Sequence, residues 1–301
     1  MLTMQQLIST FGPKLAEFIN PITGRIHASY NIAGAKSGRF TSSRPNLQQL
    51  PSTKAPDFRK AIVAAPGHVL VGGDWSQIEL RAAAWISGDP NLTAVFREGR
   101  DLHDETAAAI SGVPVDQVSK AQRAAAKAVN FGSIYGIGPR SLAENAFDAY
   151  GIEMAEQEAR GALERFFQRY PVLQRWMRQH ADMCQARGYV EIGMGRVVEA
   201  KWEEGGKLTF QQCCNLPVQG AAADAMLRVI ALVFKRLRGI RGGLVASVHD
   251  ELLLEVHEDD AEKAQQILGE TMIEAFEATF PGAPTQKLVD LHIGRTWKDV
   301  K

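Results

Sequence analysis

Apolar and polar positions alternate along the chain in ways that mark out its elements. Val69, Leu70 and Val71 form a short β-prone run, as in a buried strand, and Gly72-Gly73 thin the backbone just before Asp74. Residues 77–86 then combine strong helix formers with apolar Ile78, Leu80, Ala82, Ala84 and Trp85; Ser76 is placed to act as N-cap, with Glu79 at the third helical position. A strand therefore ends, presents a carboxylate, and is followed by a helix. Alternation over residues 25–30 predicts another strand. Gly88-Asp89-Pro90-Asn91 reads as a turn, and an Ala-rich, largely helical stretch runs from there to about residue 185. Residues 189–200 predict a hairpin, and residues 208–237 a long helix broken near Pro217. Residues 244–256 predict a second hairpin whose tight turn displays His249, Asp250 and Glu251. The first twenty residues suggest a short amphipathic helix, Met4 to Leu7 and Leu15 to Ile19, interrupted by Gly12-Pro13.

Chemistry attaches to three of these elements. Asp74 and Asp250 each sit where a strand ends; if the fold brings them together, paired carboxylates suit hard, oxygen-seeking cations such as Mg²⁺. Polar residues between strands that favour burial are costly without partners, and a bound metal is one such partner. Over residues 122–136, Arg123, Lys127, Phe131 and Tyr135 recur every four positions and share one slowly drifting helix face. Two cations followed by two rings suit a ligand that is polyanionic at one end and planar at the other, as a nucleoside triphosphate is. The same spacing also fits two core rings beside two solvated cations, and the small Ala124–Ala126, Gly132 and Gly136 allow close approach to this face. The third element, residues 24–51, carries Arg25, Lys36, Arg39 and Arg44 with no acid among them. It can set donors on a phosphate backbone without reading bases, or it can be a solvated loop. His103 stands at the start of a helix, where a structural role is the commoner one.

Composition adds limits more than direction. The 301 residues hold 34 basic and 34 acidic side chains, so any nucleic-acid contact must come from locally segregated charge. Three cysteines, without a C-x-x-C pair, form no disulfide framework. No basic leader opens the chain, and no apolar run in the sequence reads as a bilayer span, which leads to an expectation of a soluble, cytoplasmic protein with no membrane partner.

Five stretches together resemble family A of the DNA polymerases, the group of bacterial DNA polymerase I and many phage replicative enzymes. D-W-S-Q-I-E-L-R at 74–81 and V-H-D-E at 248–251 resemble the two acidic palm motifs, and R-A-A-A-K-A-V-N-F-G-S-I-Y-G at 123–136 resembles the nucleotide-binding helix of the fingers. S-G-R-F-T-S-S-R-P-N-L-Q-Q-L-P at 37–51 and N-L-P-V-Q-G-A-A-A-D at 215–224 resemble the segments that hold primer-template. They occur in the family's order.

The resemblance implies an α+β right-hand fold: an antiparallel palm sheet at 24–87 and 207–301 and an inserted helical fingers subdomain at 88–206, with 1–23 an N-terminal remnant and the thumb largely absent. It implies template-directed addition of deoxynucleotides to a primer 3′ end, without proofreading. Asp74, Asp250 and the Trp75 carbonyl would hold two Mg²⁺ ions (or Mn²⁺), with Glu251 close by. Arg123, Lys127 and His103 would meet the phosphates, and Lys127 would protonate departing pyrophosphate. Phe131 would pack on the sugar, Tyr135 would take the template-base position, and Glu79, with Gln77 beside it, would stand where a 2′-hydroxyl must go. Arg39, Asn46, Gln48, Asn215, Gln219 and His249 would contact primer-template DNA. Three departures stand out. Trp75 replaces the usual Tyr, residues 52–57 lack an arginine often found there, and about twenty residues precede Gly24. The last implies low processivity unless a second polypeptide supplies the thumb. Another reading is a catalytically weak primer-template-binding or split-polymerase subunit, and a third is a two-metal nuclease or phosphatase, which gives the 123–135 face no role. The expected setting is the cytoplasm, associated with the nucleoid of a bacterial or phage-infected cell.

Overall fold

The computed structural model describes residues 12–32, 34–50, 56–200 and 205–301. The expected helix at Met4–Leu7 and most of the 52–57 segment lie outside them. The chain forms two compact units, Met1–Ser76 with Ala223–Thr279 and Leu288–Lys301, and Gln77–Ala222 with Phe280–Lys287.

Its strands are β1 (Ser29–Asn31), β2 (Thr41–Ser43), β3 (His68–Trp75), β4 (Tyr189–Ile192), β5 (Arg196–Glu199), β6 (Gly242–Val248), β7 (Glu251–His257) and β8 (Val289–Gly294). Its helices are α1 (Pro13–Ala16), α2 (Ile78–Ser87), α3 (Pro90–Arg97), α4 (Leu102–Ser111), α5 (Lys120–Ile134), α6 (Pro139–Tyr150), α7 (Glu156–Arg169), α8 (Pro171–Arg187), α9 (Phe210–Arg236) and α10 (Ala261–Thr279).

The first unit is built on a four-stranded antiparallel sheet in the order β6-β7-β3-β8. Because strand side chains alternate between faces, Gly73 and Trp75 turn toward α10, and Trp75 donates its indole N–H to the Met272 carbonyl at 3.3 Å. A Cβ on Gly73 would stand 2.8 Å from the ends of the Leu268 and Met272 side chains, which would have to shift to admit it. Leu70, Gly72 and Asp74 take the opposite face. A Cβ on Gly72 would lie 2.5 Å from the Val300 carbonyl, and Leu70 joins Val248, Leu253, Trp297 and Val300 in a buried cluster. The glycine pair thus admits α10 on one side and the 297–301 segment on the other.

The second unit is helical apart from the β4–β5 hairpin. Asp89, fully buried, caps two helices at once: Oδ1 accepts from the Asn91 and Leu92 N–H groups of α3, and Oδ2 from Val172 and Leu173 of α8, all at 3.0 Å. Arg81 donates to the carbonyls of Pro284, Gln286 and Lys287, and its guanidinium lies over the Phe96 ring, 4.6 Å from the centroid.

The α+β class and antiparallel sheet agree with the sequence expectation, while four local expectations are corrected. Ser76 is not the N-cap of α2; Gln77 is, in a left-handed conformation (φ 57°) with no side-chain cap bond. The strand expected at 25–30 narrows to Ser29–Asn31, where it finds Thr41–Ser43 to pair with. Helix α9 runs unbroken through Pro217, since one missing N–H is tolerated where Cys213, Cys214 and Val218 are buried on either side. The same helix is also long and apolar enough to cross a membrane, with a mean hydropathy of 1.4, although 61% of the apolar window is buried inside the protein, as in a core helix.

Candidate active site

In the first unit, β3 ends at Trp75 and β7 begins at Glu251, with Asp74 directly opposite Glu251 in the register. The turn before β7 is two residues long, and His249 holds it in the left-handed region (φ 57°), a conformation uncommon outside glycine and asparagine. It brings Asp250 beside the end of β3, where the Trp75 N–H donates to the Asp250 carbonyl at 3.2 Å. Two aspartates 176 positions apart in sequence therefore stand together. Burial, then the neighbouring Asp250 charge, pushes the Asp74 carboxyl up to about 6, with Lys301 pulling it down. Burial likewise raises Asp250.

Glu251 is occupied. Its Oε2 accepts from Arg59 Nη1 at 3.0 Å and its Oε1 from the Trp297 indole N–H at 2.5 Å, while the Arg59 guanidinium lies 4.4 Å from the centre of the Trp297 ring. Lys301 pairs with Asp74 and lies 3.4 Å from Glu251. Burial alone would lower this ammonium; Asp74 and Glu251 outweigh it, and the net shift is upward. Arg59, Trp297 and Lys301 were not singled out from sequence. An isolated Arg, Trp and Lys carry no periodic signal, and only the fold draws them to the acids.

The loop before β3 folds onto the same turn. Asn46 Oδ1 accepts from the Gln48 N–H at 3.1 Å, Gln48 Nε2 donates to the Phe40 carbonyl at 3.0 Å, and His249 Nε2 bonds the Gln48 carbonyl at 3.1 Å. Asn46 and Gln48 thus shape the loop that carries Arg39. Burial and then the Arg39 charge lower the His249 pKa.

In the second unit, α5 starts at a capping box between Ser119 and Gln122 and ends at Ile134, with Tyr135 as its C-cap. The expected face forms. Arg123 pairs with Asp101 at 2.6 Å and Asp104 at 2.9 Å; Asp101 is the N-cap of α4 and Asp104 lies in its first turn. Burial and then the Arg123 charge lower the Lys127 pKa. Phe131 and Tyr135 follow along the face with ring centres 6.1 Å apart, and the His103 ring of α4 lies 5.9 Å from that of Phe131. The Tyr135 hydroxyl donates to Glu79, which is buried.

His103 sits in a network that sequence reasoning did not reach. Asn130 Oδ1 accepts from the Thr106 hydroxyl at 2.7 Å, which leaves its Nδ2 to donate to His103 Nδ1 at 2.8 Å. The imidazole proton is thereby placed on Nε2. Burial above all, helped by Lys127 and Arg123, pushes this histidine down to about 4, so it is neutral at neutral pH. In α9, Asn215 keeps a buried Oδ1 without a hydrogen-bond partner, as does Gln77 with its Oε1, and Gln219 is half-buried.

Two carboxyl groups with raised pKa values form a hard, all-oxygen donor pair that suits Mg²⁺ or Mn²⁺. Among the described residues no three His, Cys, Asp or Glu side chains already converge as a complete metal shell.

An α+β chain with one unit built on an antiparallel sheet and a second that is largely helical is of the class of right-hand polymerase folds. The sequence profile of DNA polymerase family A matches residues 1–299, and the chain belongs to that family. It is 38% identical to the thermostable DNA polymerase I of Thermus filiformis, over 99% of this chain and 35% of the relative. It is also 38% identical to DNA polymerase I of Chloroflexus aurantiacus, over 100% and 32%. The chain thus spans about a third of the length of these curated relatives. The POL domain of Pol1 from M. smegmatis, solved in complex with DNA primer-template and dNTP, superposes with a TM-score of 0.84 at 29% identity, over 97% of this chain and 52% of that one.

Proposed function

We propose that this chain is the polymerase portion of a DNA-directed DNA polymerase that adds deoxynucleotides to a primer 3′ end on a template. The unit carrying Asp74 and Asp250 is its palm, and the helical unit is its fingers. Proofreading forms no part of the proposed activity, and the cytoplasm is its proposed setting, as for the bacterial relatives. The observation that carries the reading is the meeting of Asp74 and Asp250 at the end of the β3–β7 pair.

Asp74, Asp250 and the Trp75 carbonyl would hold two Mg²⁺ ions, which when bound lower the pKa of the primer hydroxyl and neutralise charge on the triphosphate and pyrophosphate. The remaining roles belong to side chains. His103, neutral and protonated on Nε2, offers one N–H donor to a phosphate oxygen without adding charge. Lys127, with its pKa lowered by burial, is suited to giving a proton to departing pyrophosphate. Arg123 reaches phosphate by exchanging its bonds to Asp101 and Asp104, so an incoming anion competes with two carboxylates for it. Phe131 and Tyr135 offer ring faces to sugar and base. Glu79, held by Tyr135, blocks the space a ribose 2′-hydroxyl requires. Arg39, Asn215, Gln219 and His249, with Asn46 and Gln48 shaping the loop, hold the primer-template through its backbone and minor groove.

Primer extension with Mg²⁺ and deoxynucleotides tests this directly. Wild type is expected to extend a primed template, and Asp250→Asn to lose extension by 10³-fold or so while keeping DNA binding, as loss of a metal-held charge would cause. Equal extension by the two proteins sinks the reading.

A further inference from the structure

We propose that the Lys301 ammonium is an exchangeable counter-ion for the Asp74–Asp250 pair: it takes the position a divalent cation requires and competes with that cation for the acids. The proposal rests on the two-metal reading above.

The inference starts from strand geometry. Residues directly opposite in an antiparallel pair have Cβ atoms about 4.5–5.5 Å apart, and like charges there are destabilising. Asp74 faces Glu251 in this way, and Asp250 is next to Glu251 in the chain. Three carboxylates are therefore gathered at one sheet end. Glu251 is satisfied by Arg59 and the Trp297 indole N–H, which leaves two aspartates whose charge needs compensation. Among the described residues, the cation in contact with Asp74 is Lys301, which also lies 3.4 Å from Glu251.

Lys301 is brought there by its neighbours. Trp297 and Val300 are buried in the core of the palm, and the Val300 backbone sits against Gly72, two residues before Asp74 on the same face of β3. The last side chain of this anchored segment therefore arrives beside the acids as a consequence of packing. An ammonium carries one positive charge, and two ionised aspartates carry two negative charges between them. A divalent ion balances the pair fully. It also repels an ammonium at this range, so the two cations exclude each other and the ammonium must swing away. Lysine suits exchange better than arginine would, because its stem is flexible and its head is a single strongly hydrated charge.

Mn²⁺ binding to the DNA-free protein, read by electron paramagnetic resonance of the free ion, provides the test, with melting temperature in chelator as the second readout. Lys301→Met is expected to bind Mn²⁺ about tenfold more tightly than wild type, the equivalent of one pKa unit of charge interaction. It is also expected to melt lower in chelator and to gain more from added Mn²⁺. Lys301→Arg, with the charge restored, is expected to return toward wild-type affinity. Unchanged Mn²⁺ affinity in Lys301→Met, with binding weakened in Asp250→Asn, overturns the counter-ion proposal and leaves the two-metal reading standing. Equal Mn²⁺ binding by wild type and Asp250→Asn removes the metal site itself, and the proposal with it. A lower melting temperature in Lys301→Met with no change in affinity shows a structural pin only, which also overturns it.

Discussion

Replacing Arg59 by alanine removes the cation that Glu251 needs most, and the consequence can be worked from the structure. The side chains of Arg59 and Glu251 are 4% and 2% exposed, and the pair is 3.0 Å apart. Breaking a buried ion pair from one side costs about 3–5 kcal/mol, because the remaining charge stays desolvated. Glu251 would keep the Trp297 N–H and the more distant Lys301, which places Arg59→Ala at roughly 3–4 kcal/mol within that range. Arg59→Met keeps an unbranched apolar stem but loses the guanidinium that lies over Trp297 and strands the same carboxylate, so it is expected to lose nearly as much. The double change Arg59→Met with Glu251→Gln removes both charges and is expected to cost about 2 kcal/mol less than the sum of the two single changes. Urea denaturation followed by tryptophan fluorescence measures all four proteins, with separate transitions fitted if the two units unfold independently. A loss below about 1 kcal/mol in Arg59→Ala, or strict additivity in the double variant, refutes the argument that Glu251 is held by a buried charge pair.

Two further outcomes follow from the helical unit. His103 is pushed down from 6.5 to about 4, so below pH 6.5 the unfolded chain binds a proton that the folded protein refuses. Stability is therefore unaffected above pH 6.5 and falls by about 3 kcal/mol as pH drops toward 4, a slope that His103→Gln is expected to abolish in pH-dependent denaturation. A wild-type profile that is parallel to the variant's contradicts it. Asp89→Ala strips the N-caps of α3 and α8 together and is expected to cost about 2–4 kcal/mol. Amide exchange at Val172 and Leu173 should accelerate, and unchanged protection there counts against the double-cap reading.

The chemical residues were legible locally because their spacing is local. Arg123, Lys127, Phe131 and Tyr135 share a face through the four-residue step alone, and a β-prone run ending in Gly-Gly-Asp presents an acid whatever the rest of the chain does. The Gly72-Gly73 pair could be read as a thin backbone, but not what approaches it: α10 on one face and the 297–301 segment on the other arrive from more than 190 positions away. Pro217 misled because the cost of a missing N–H is local, whereas the burial that overrides it in α9 is not. Ser76 misled similarly, since a good capping side chain counts for nothing once the backbone turns at Gln77.

Sequence by itself therefore determined the strand ends, the helix face and the family. Tertiary structure decided the company each group keeps: Arg59 and Trp297 on Glu251, Lys301 on Asp74, Asn130 on His103 and the two acids on Arg123. Periodicity records which residues of one element point the same way. Charge compensation and hydrogen-bond pairing depend on distances between elements remote in the chain, and those exist only after the sheet and helices have packed.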